Sequence, residues 1–183
     1  MRIEHLPESV FTIHDFLSDY ECRTYIEHAE RLGFHQASVH HPRNGPLMLK
    51  DIRNNDRVNF EDEALAKQLF SKARNLLPLE IEAAKLCGIN HRFRFYRYDT
   101  GQYFKWHRDG YATQGKTDAS RFTFLLYLND DYLGGETEFR WGKVRAARGM
   151  ALVFPHTLVH QGAAVVSGTK YVLRTDVMYR TKS

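Results

Sequence analysis

The sequence predicts an α+β fold in which helices come first and an all-β half follows. A helix-start signal with an apolar face behind it, a second helical periodicity, and a series of short alternating runs after Asn90 predict this. Taken in order, Val10–Leu17 reads as a strand or an extended entry. Ser18-Asp19-Tyr20-Glu21 then fits the S-x-x-E capping box, in which side chains satisfy the free N–H groups of a helix start. Cys22, Tyr25, Ile26, Ala29 and Leu32 form one helical face, and Gly33 stops it. Residues 34–60 read as a long irregular connection, and such connections often form functional rims. A second helix is expected from about Glu61, with Leu65, Leu69, Ala73 and Leu76 on one face and Pro78 at its end. A short third helix is expected from Leu79 to Cys87, closed by Gly88. Arg92–Tyr98 alternates basic and aromatic residues, the period of a strand. Strand-like runs follow at Tyr103–Trp106, Arg121–Leu128, Thr137–Trp141, Met150–Phe154, His160–Val166 and Lys170–Tyr179. Asp99-Thr100-Gly101, Asn129-Asp130-Asp131, Gly134-Gly135 and Ser167-Gly168 separate them. Many short strands with regular turns argue for a sandwich or closed barrel.

The chain has 183 residues, enough for one domain over 1–183, with helical support and rim loop in 1–90 and the β core with the site in 91–183. Its net charge of +4 permits an anionic partner without demanding one. Apolar residues at 43% and charged residues at 26% exclude a disordered chain. The longest apolar run, Phe122–Leu128 broken by Thr123, is too short to span a bilayer, so no membrane partner is expected. The N-terminal residues hold no apolar signal region. Cys22 and Cys87 fit neither a metal spacing nor a disulfide framework. Both fall in helix-like segments and are expected to be buried free thiols in a reducing, cytoplasmic setting.

Three residues of the β half stand out among the 10 histidines and their neighbours: His107, Asp109 and His160. Residues two apart on a strand share a face, so His107 and Asp109 can converge on one ion. A third ligand from a distant strand would complete a two-histidine, one-carboxylate face. That set leaves three positions of an octahedral ion open, the arrangement of non-haem iron(II) oxygenases. Taken alone, H-x-D is common; its context gives it weight.

That context is an ordered set of motifs: Phe104-Lys-Trp-His107-Arg-Asp109-Gly, Leu126-Tyr127-Leu128-Asn129, Gly134-Gly135-Glu136-Thr137-Glu-Phe139, Gly149-Met-Ala-Leu-Val-Phe154, His160-Gln-Gly162 and Gly168-Thr-Lys170-Tyr-Val-Leu-Arg174-Thr-Asp176. Over roughly Asn90 to Arg180 the sequence resembles the iron(II)/2-oxoglutarate dioxygenases, in their prolyl 4-hydroxylase-like branch. The resemblance implies a double-stranded β-helix, the cupin-like jelly roll, with N-terminal helices packed on it. It implies His107, Asp109 and His160 as iron ligands. Lys170 stands where the branch places the base that pairs with the far carboxylate of 2-oxoglutarate, and Tyr127 and Tyr98 match tyrosines of that pocket. A buried dianion needs a cationic partner; Arg174 shares a strand face with Lys170 and remains a competitor. His156 is expected at the pocket edge or surface, and His160 is taken as the ligand. Asp109 is intact, which argues against the halogenase variant.

The implied cofactors are Fe(II), 2-oxoglutarate as cosubstrate and O₂, with ascorbate as an auxiliary candidate. The implied reaction couples oxidative decarboxylation of 2-oxoglutarate, releasing succinate and CO₂, to hydroxylation of a C–H bond. A prolyl residue of a peptide or protein is the leading substrate, with a small molecule as the other class. The alternatives are a nucleic-acid demethylase of the same chemistry, for which the expected paired-arginine pattern is missing, and a non-catalytic metal-binding cupin-like module. Two rim elements could select the substrate: the loop Tyr111–Ser120 and the connection His35–Phe60, with its cluster Arg53-Asn54-Asn55-Asp56-Arg57. Arg53 and Arg57 read either as solvated charges or as a clamp on a carboxylate or phosphate. Oligomeric state is not legible.

Overall fold

A computed structural model describes residues 1–37, 39–41, 45–47 and 51–181. The chain opens with β1 (Arg2–His5), β2 (Phe11–His14) and α1 (Asp19–Leu32). Short strands β3 (His35–Gln36), β4 (Val39–His41) and β5 (Gly45–Leu47) lead to β6 (Asp56–Glu61) and α2 (Glu63–Ala73). A hairpin of β7 (Glu80–Ile81) and β8 (Ala84–Ile89) precedes β9 (Arg92–Tyr98), β10 (Phe104–His107), β11 (Thr113–Gln114) and β12 (Asp118–Tyr127). Then come β13 (Leu133–Gly134), β14 (Thr137–Phe139), β15 (Gly142–Val144), β16 (Ala151–Pro155), β17 (His160–Gly162), β18 (Val165–Ser167) and β19 (Lys170–Arg180).

The fold is mostly β-sheet with two helices. The large sheet runs β1-β2-β16-β12-β19-β9-β6-β3, with β11 on β12 and the β7–β8 hairpin on β19. A smaller sheet runs β10-β17-β14-β15. The large sheet is buried on both faces. Phe93, Phe95, Phe124, Leu126, Val153 and Leu173 belong to one core cluster, which also holds Cys22 and Ala29 of α1 and Leu65, Leu69 and Ala73 of α2. The alternating residues Tyr96, Tyr98, Leu125, Tyr127, Leu152, Phe154 and Val172 form a second cluster with Phe139 of the smaller sheet. Burial on both faces explains why Phe122–Leu128 reads as a nearly unbroken apolar run rather than an alternating one. Among the described residues no helix is long and apolar enough to cross a membrane.

Several local expectations hold. Ser18 caps α1 with the reciprocal Glu21 bond, and Gly33 closes it at φ 81°. Asp62 caps α2, its side chain accepting from Leu65 N–H, but the helix ends at Ala73, short of Leu76 and of the expected stop at Pro78. Two expectations fail. Residues 79–87 form no helix: Glu82 (φ 48°) and Ala83 (φ 62°) make a tight left-handed turn, and β8 pairs with β19 along Val177–Arg180. The pairing available along β19 overrides a helical pattern of only nine residues. Cys87 is therefore on a strand and half-buried, with its thiol against Asp118, whereas Cys22 is buried and burial pushes its thiol up to about 11. The connection 34–60 is not irregular throughout either, since β6 pairs with β9 from Asp56–Arg97 to Glu61–Arg92. Positions 38, 42–44 and 48–50 of that connection lie outside the described residues.

Gly149 joins β16 to the helical side. It lies at φ 76°, its carbonyl accepts from Leu17 N–H at 2.9 Å, and its N–H donates to Tyr127 C=O at 2.9 Å. A Cβ there would fall against the Leu17 carbonyl oxygen, inside contact distance. Gly149→Ala is expected to cost about 1–3 kcal/mol through backbone strain and this clash, read as a lower midpoint in urea unfolding with an unchanged slope.

Candidate active site

β10 ends at His107 and β17 begins at His160, and the two residues are register partners across the smaller sheet. Asp109 lies just past the end of β10, so it meets His107 by the chain's exit from the strand rather than by pleat alternation. Asp109 Oδ1 is 3.7 Å from His107 Nε2, and Asp109 Oδ2 is 3.6 Å from His160 Nε2. One donor atom from each of the three residues falls within 4.8 Å of the others. The outer nitrogens fix the tautomers: Nδ1–H of His107 donates to the Lys105 carbonyl at 2.7 Å, and Nδ1–H of His160 donates to the Leu158 carbonyl at 3.1 Å. Each Nε2 lone pair is therefore free to face an ion. Burial, and then the neighbouring His160, lowers His107 to about 3, and burial lowers His160, so both rings are neutral at pH 7. Burial pushes Asp109 up, but Arg174, His160 and His107 outweigh it and hold the carboxylate ionised. Neutral imidazoles and an ionised carboxylate are the protonation states a divalent metal requires.

Asp109 is gripped on both oxygens. Arg174 Nη1 lies 2.8 Å from Oδ1, and Thr123 Oγ1–H donates to Oδ2 at 2.6 Å. Thr123 in turn accepts from His156 Nδ1–H at 2.9 Å. His156 Nε2 accepts from Ser120 Oγ–H at 2.8 Å, and Ser120 Oγ accepts from Ala112 N–H at 2.8 Å. The directions of this chain follow from its two ends, because a backbone N–H can only donate and a carboxylate can only accept. His156 is thus buried in a relay from the loop 111–120 to Asp109, not at a pocket edge or the surface. Its burial lowers its pKa and keeps it neutral.

The cavity beside the triad is lined by Tyr98, Thr137, Lys170 and Arg174 together with His107, Asp109 and His160. Lys170 and Arg174 share one face of β19, as expected, but they do different things. Arg174 is spent on Asp109 and on Asp176, at 3.3 Å. Lys170 is 3% exposed and donates to the Gly135 carbonyl at 2.6 Å, and its ammonium lies 5.3 Å and 5.4 Å from the Tyr98 and Tyr127 ring centres. Burial pulls Lys170 down to about 8. The Tyr127 hydroxyl is bonded to Thr137 Oγ1 at 2.7 Å. Thr123, His156, Thr137 and Tyr96 were not singled out as site residues by sequence. Thr123 could have been, since it is four residues before Tyr127 and shares its strand face.

Because outer partners hold metal ligands in place, Thr123→Val is expected to weaken Fe(II) binding by about tenfold or more. His156→Phe is expected to weaken it less. Both are measured by equilibrium metal competition, with circular dichroism confirming the fold.

With the site in view, the likenesses to known proteins fall into place. Residues 93–175 match the 2OG-Fe(II) oxygenase superfamily. A PKHD-type hydroxylase of Acaryochloris marina is 33% identical over 86 residues, covering 45% of this chain and 39% of that protein. The match therefore spans well under half of that relative's length. Among solved structures, the viral collagen prolyl hydroxylase of Paramecium Bursaria Chlorella virus-1 superposes with a TM-score of 0.68 at 24% identity, over 92% of this chain and 95% of its own. A Pseudomonas putida prolyl-4-hydroxylase gives 0.66 at 16% identity, over 97% and 95%. A Trichoplax adhaerens prolyl hydroxylase, bound to a hypoxia inducible factor peptide fragment, gives 0.67 at 16%, over 93% and 84%. Residues 93–175 thus resemble the 2OG-Fe(II) oxygenases, and the chain as a whole is similar in fold to these prolyl hydroxylases.

Proposed function

We propose that this chain is a one-domain hydroxylase, a double-stranded β-helix braced by its two N-terminal helices, that acts on a prolyl residue of a peptide or protein. The observation that carries this reading is the single cavity joining the His107–Asp109–His160 cluster to the buried, anion-ready Lys170. Bound Fe(II), with 2-oxoglutarate and O₂, supplies the oxidising power that breaks the substrate C–H bond, with succinate and CO₂ released. The protein's part is to bind and orient. Nε2 of His107 and of His160 and one oxygen of Asp109 would hold the ion. Arg174 and Thr123 keep that carboxylate charged and aimed. Lys170 neutralises the far carboxylate of 2-oxoglutarate, which could not otherwise leave water, and the Tyr127–Thr137 hydroxyl pair and Tyr98 complete its pocket. The likenesses to prolyl hydroxylases weigh against the nucleic-acid demethylase.

The test is anaerobic titration of Fe(II) and 2-oxoglutarate, followed by the weak visible band of a keto acid on iron. The band is expected with both ligands present and is expected to vanish in Lys170→Ala at wild-type concentrations. No band in the wild type under conditions where Fe(II) binds would overturn the reading. Succinate release with proline-containing peptides then tests the substrate.

The lowered Lys170 also sets a pH dependence. Its folded pKa lies below the ordinary lysine value, so in the empty pocket it sheds its proton as pH rises through about 8. The dianion needs the charged form. Affinity for 2-oxoglutarate is therefore expected to be level below pH 8 and to fall about tenfold per unit above it. Calorimetry in buffers of different ionisation enthalpy should show proton uptake on binding above pH 8.

A further inference from the structure

Beside the cavity, on the phase of β9 that faces it, the structure gathers more positive charge than it neutralises. Four guanidinium groups surround the Tyr96 side chain. Arg57 stands opposite Tyr96 in register on β6, and both Arg57 and Arg174 interact with it electrostatically. The Arg53 guanidinium lies 4.7 Å from its ring centre. Arg94 is within reach electrostatically. The carboxylates recorded against this group among the described residues are Asp109, on Arg174, and Asp176, shared by Arg174 and Arg94. Burial pushes Tyr96 up, yet Arg174, Arg53 and Arg94 outweigh it and the net direction is down, a measure of the local field.

Arg53 is the exceptional member. It is 4% exposed, although the sequence allowed it to be read as a solvated surface charge. Its Nε donates to Asn55 Oδ1 at 2.7 Å, and Asn55 is itself fully buried. Its guanidinium lies 4.3 Å from the ring centre of Phe104, whose ring stacks on His107 at 3.5 Å. Phe104 and Tyr96 both line the cavity. Among the described residues, Nη2 of Arg53 is buried with no hydrogen-bond partner, as are Nη1 of Arg94 and Nε of Arg174. A buried cation with an unpaired donor is costly, and aromatic faces recover only part of that cost.

We propose that Arg53, supported by Arg57, receives a carboxylate of the primary substrate, so that the enzyme selects a prolyl residue flanked by aspartate or glutamate. This rests on the hydroxylase reading for the prolyl part and on the arginine cluster alone for the acidic part. Phe104 spaces the two functions: one ring touches both the metal-site histidine and the guanidinium, which places a substrate anion about one side chain away from the reacting carbon.

The experiment compares end-blocked pentapeptides with a central proline: one neutral, one with glutamate before the proline, one with glutamate after it, and both glutamine counterparts. Binding is measured by calorimetry to the protein with Fe(II) and 2-oxoglutarate under argon, and succinate release is measured in air. At least one glutamate peptide is expected to bind tenfold or more tighter than its glutamine counterpart, with the difference narrowing as salt rises. Arg53→Gln should erase that difference, Arg53→Lys should restore part of it, and Arg57→Gln should reduce it. The glutamate–glutamine comparison on the unaltered protein keeps the test decisive if an Arg53 variant fails to fold. Equal binding of glutamate and glutamine peptides, no binding by any glutamate peptide, or a difference that survives Arg53→Gln in folded protein would overturn the proposal. A neutral peptide that binds and releases succinate without a glutamate advantage would overturn the acidic site and leave the hydroxylase standing. Glutamate-dependent binding without succinate release would do the reverse.

Discussion

The carboxylate of Asp109 is the constraint on which the site depends. It is an ionised group with a side chain only 4% exposed, and such a group is tolerated only when its lone pairs are taken. Arg174 from β19 takes one oxygen and Thr123 from β12 takes the other. The two strands are neighbours with Leu125 opposite Arg174, so the grip on Asp109 is a property of their register. A slip of one residue would turn Thr123 and Arg174 to the opposite face, toward the helices. Leu126 and Leu173, each adjacent to that phase and buried among the helical core residues, oppose such a slip.

The same alternation organises the rest of the molecule. In β9, Phe93 and Phe95 face the helices, while Arg94, Tyr96 and Tyr98 face the site. In β19, Lys170, Val172 and Arg174 face the site and Leu173 faces the helices. One sheet therefore separates an apolar core, which supplies stability, from a layer rich in charge and phenol, which supplies recognition. The polar layer would be costly by itself. It persists because the strands that carry it are fixed from behind by packed phenylalanines and by β12 pairing on both sides.

Much of this is legible in the sequence because it is local. The α1 capping box, much of the α2 periodicity and strands such as Arg92–Tyr98 are written in neighbouring residues and survive folding, whereas the run His160–Val166 divides into β17 and β18 on different sheets. His107, Asp109, His160, Lys170, Tyr98 and Tyr127 could be placed together because ordered motifs carry them; the structure brings all but Tyr127 to the lining of one cavity, and Tyr127 is fully buried with its hydroxyl on Thr137, which does line it. What stayed hidden depends on contacts between distant segments. Residues 79–87 look helical until β19 offers an edge to pair with. His156 is buried because Ser120, 36 residues earlier, and Thr123 meet it from β12. The split between Lys170 and Arg174 could not be read from their shared strand face, since it is decided by which acidic groups fold against each: Asp109 and Asp176 meet Arg174, and no ion pair is recorded for Lys170 among the described residues.

The two halves of the cluster have different owners. His107 and His160 belong to the smaller sheet, paired strand to strand, whereas Asp109 is tied by Arg174 and Thr123 to the larger one. The buried ion pair is thus also a latch between the two layers of the fold. The layers cannot separate at this point without stripping the Arg174 guanidinium of its partner in a dry interior, a step that costs several kcal/mol for each unpaired charge. Opening of the cavity by sheet separation and loss of site geometry are consequently one event. Molecules that enter without destroying the site must come by a route that leaves the two sheets joined.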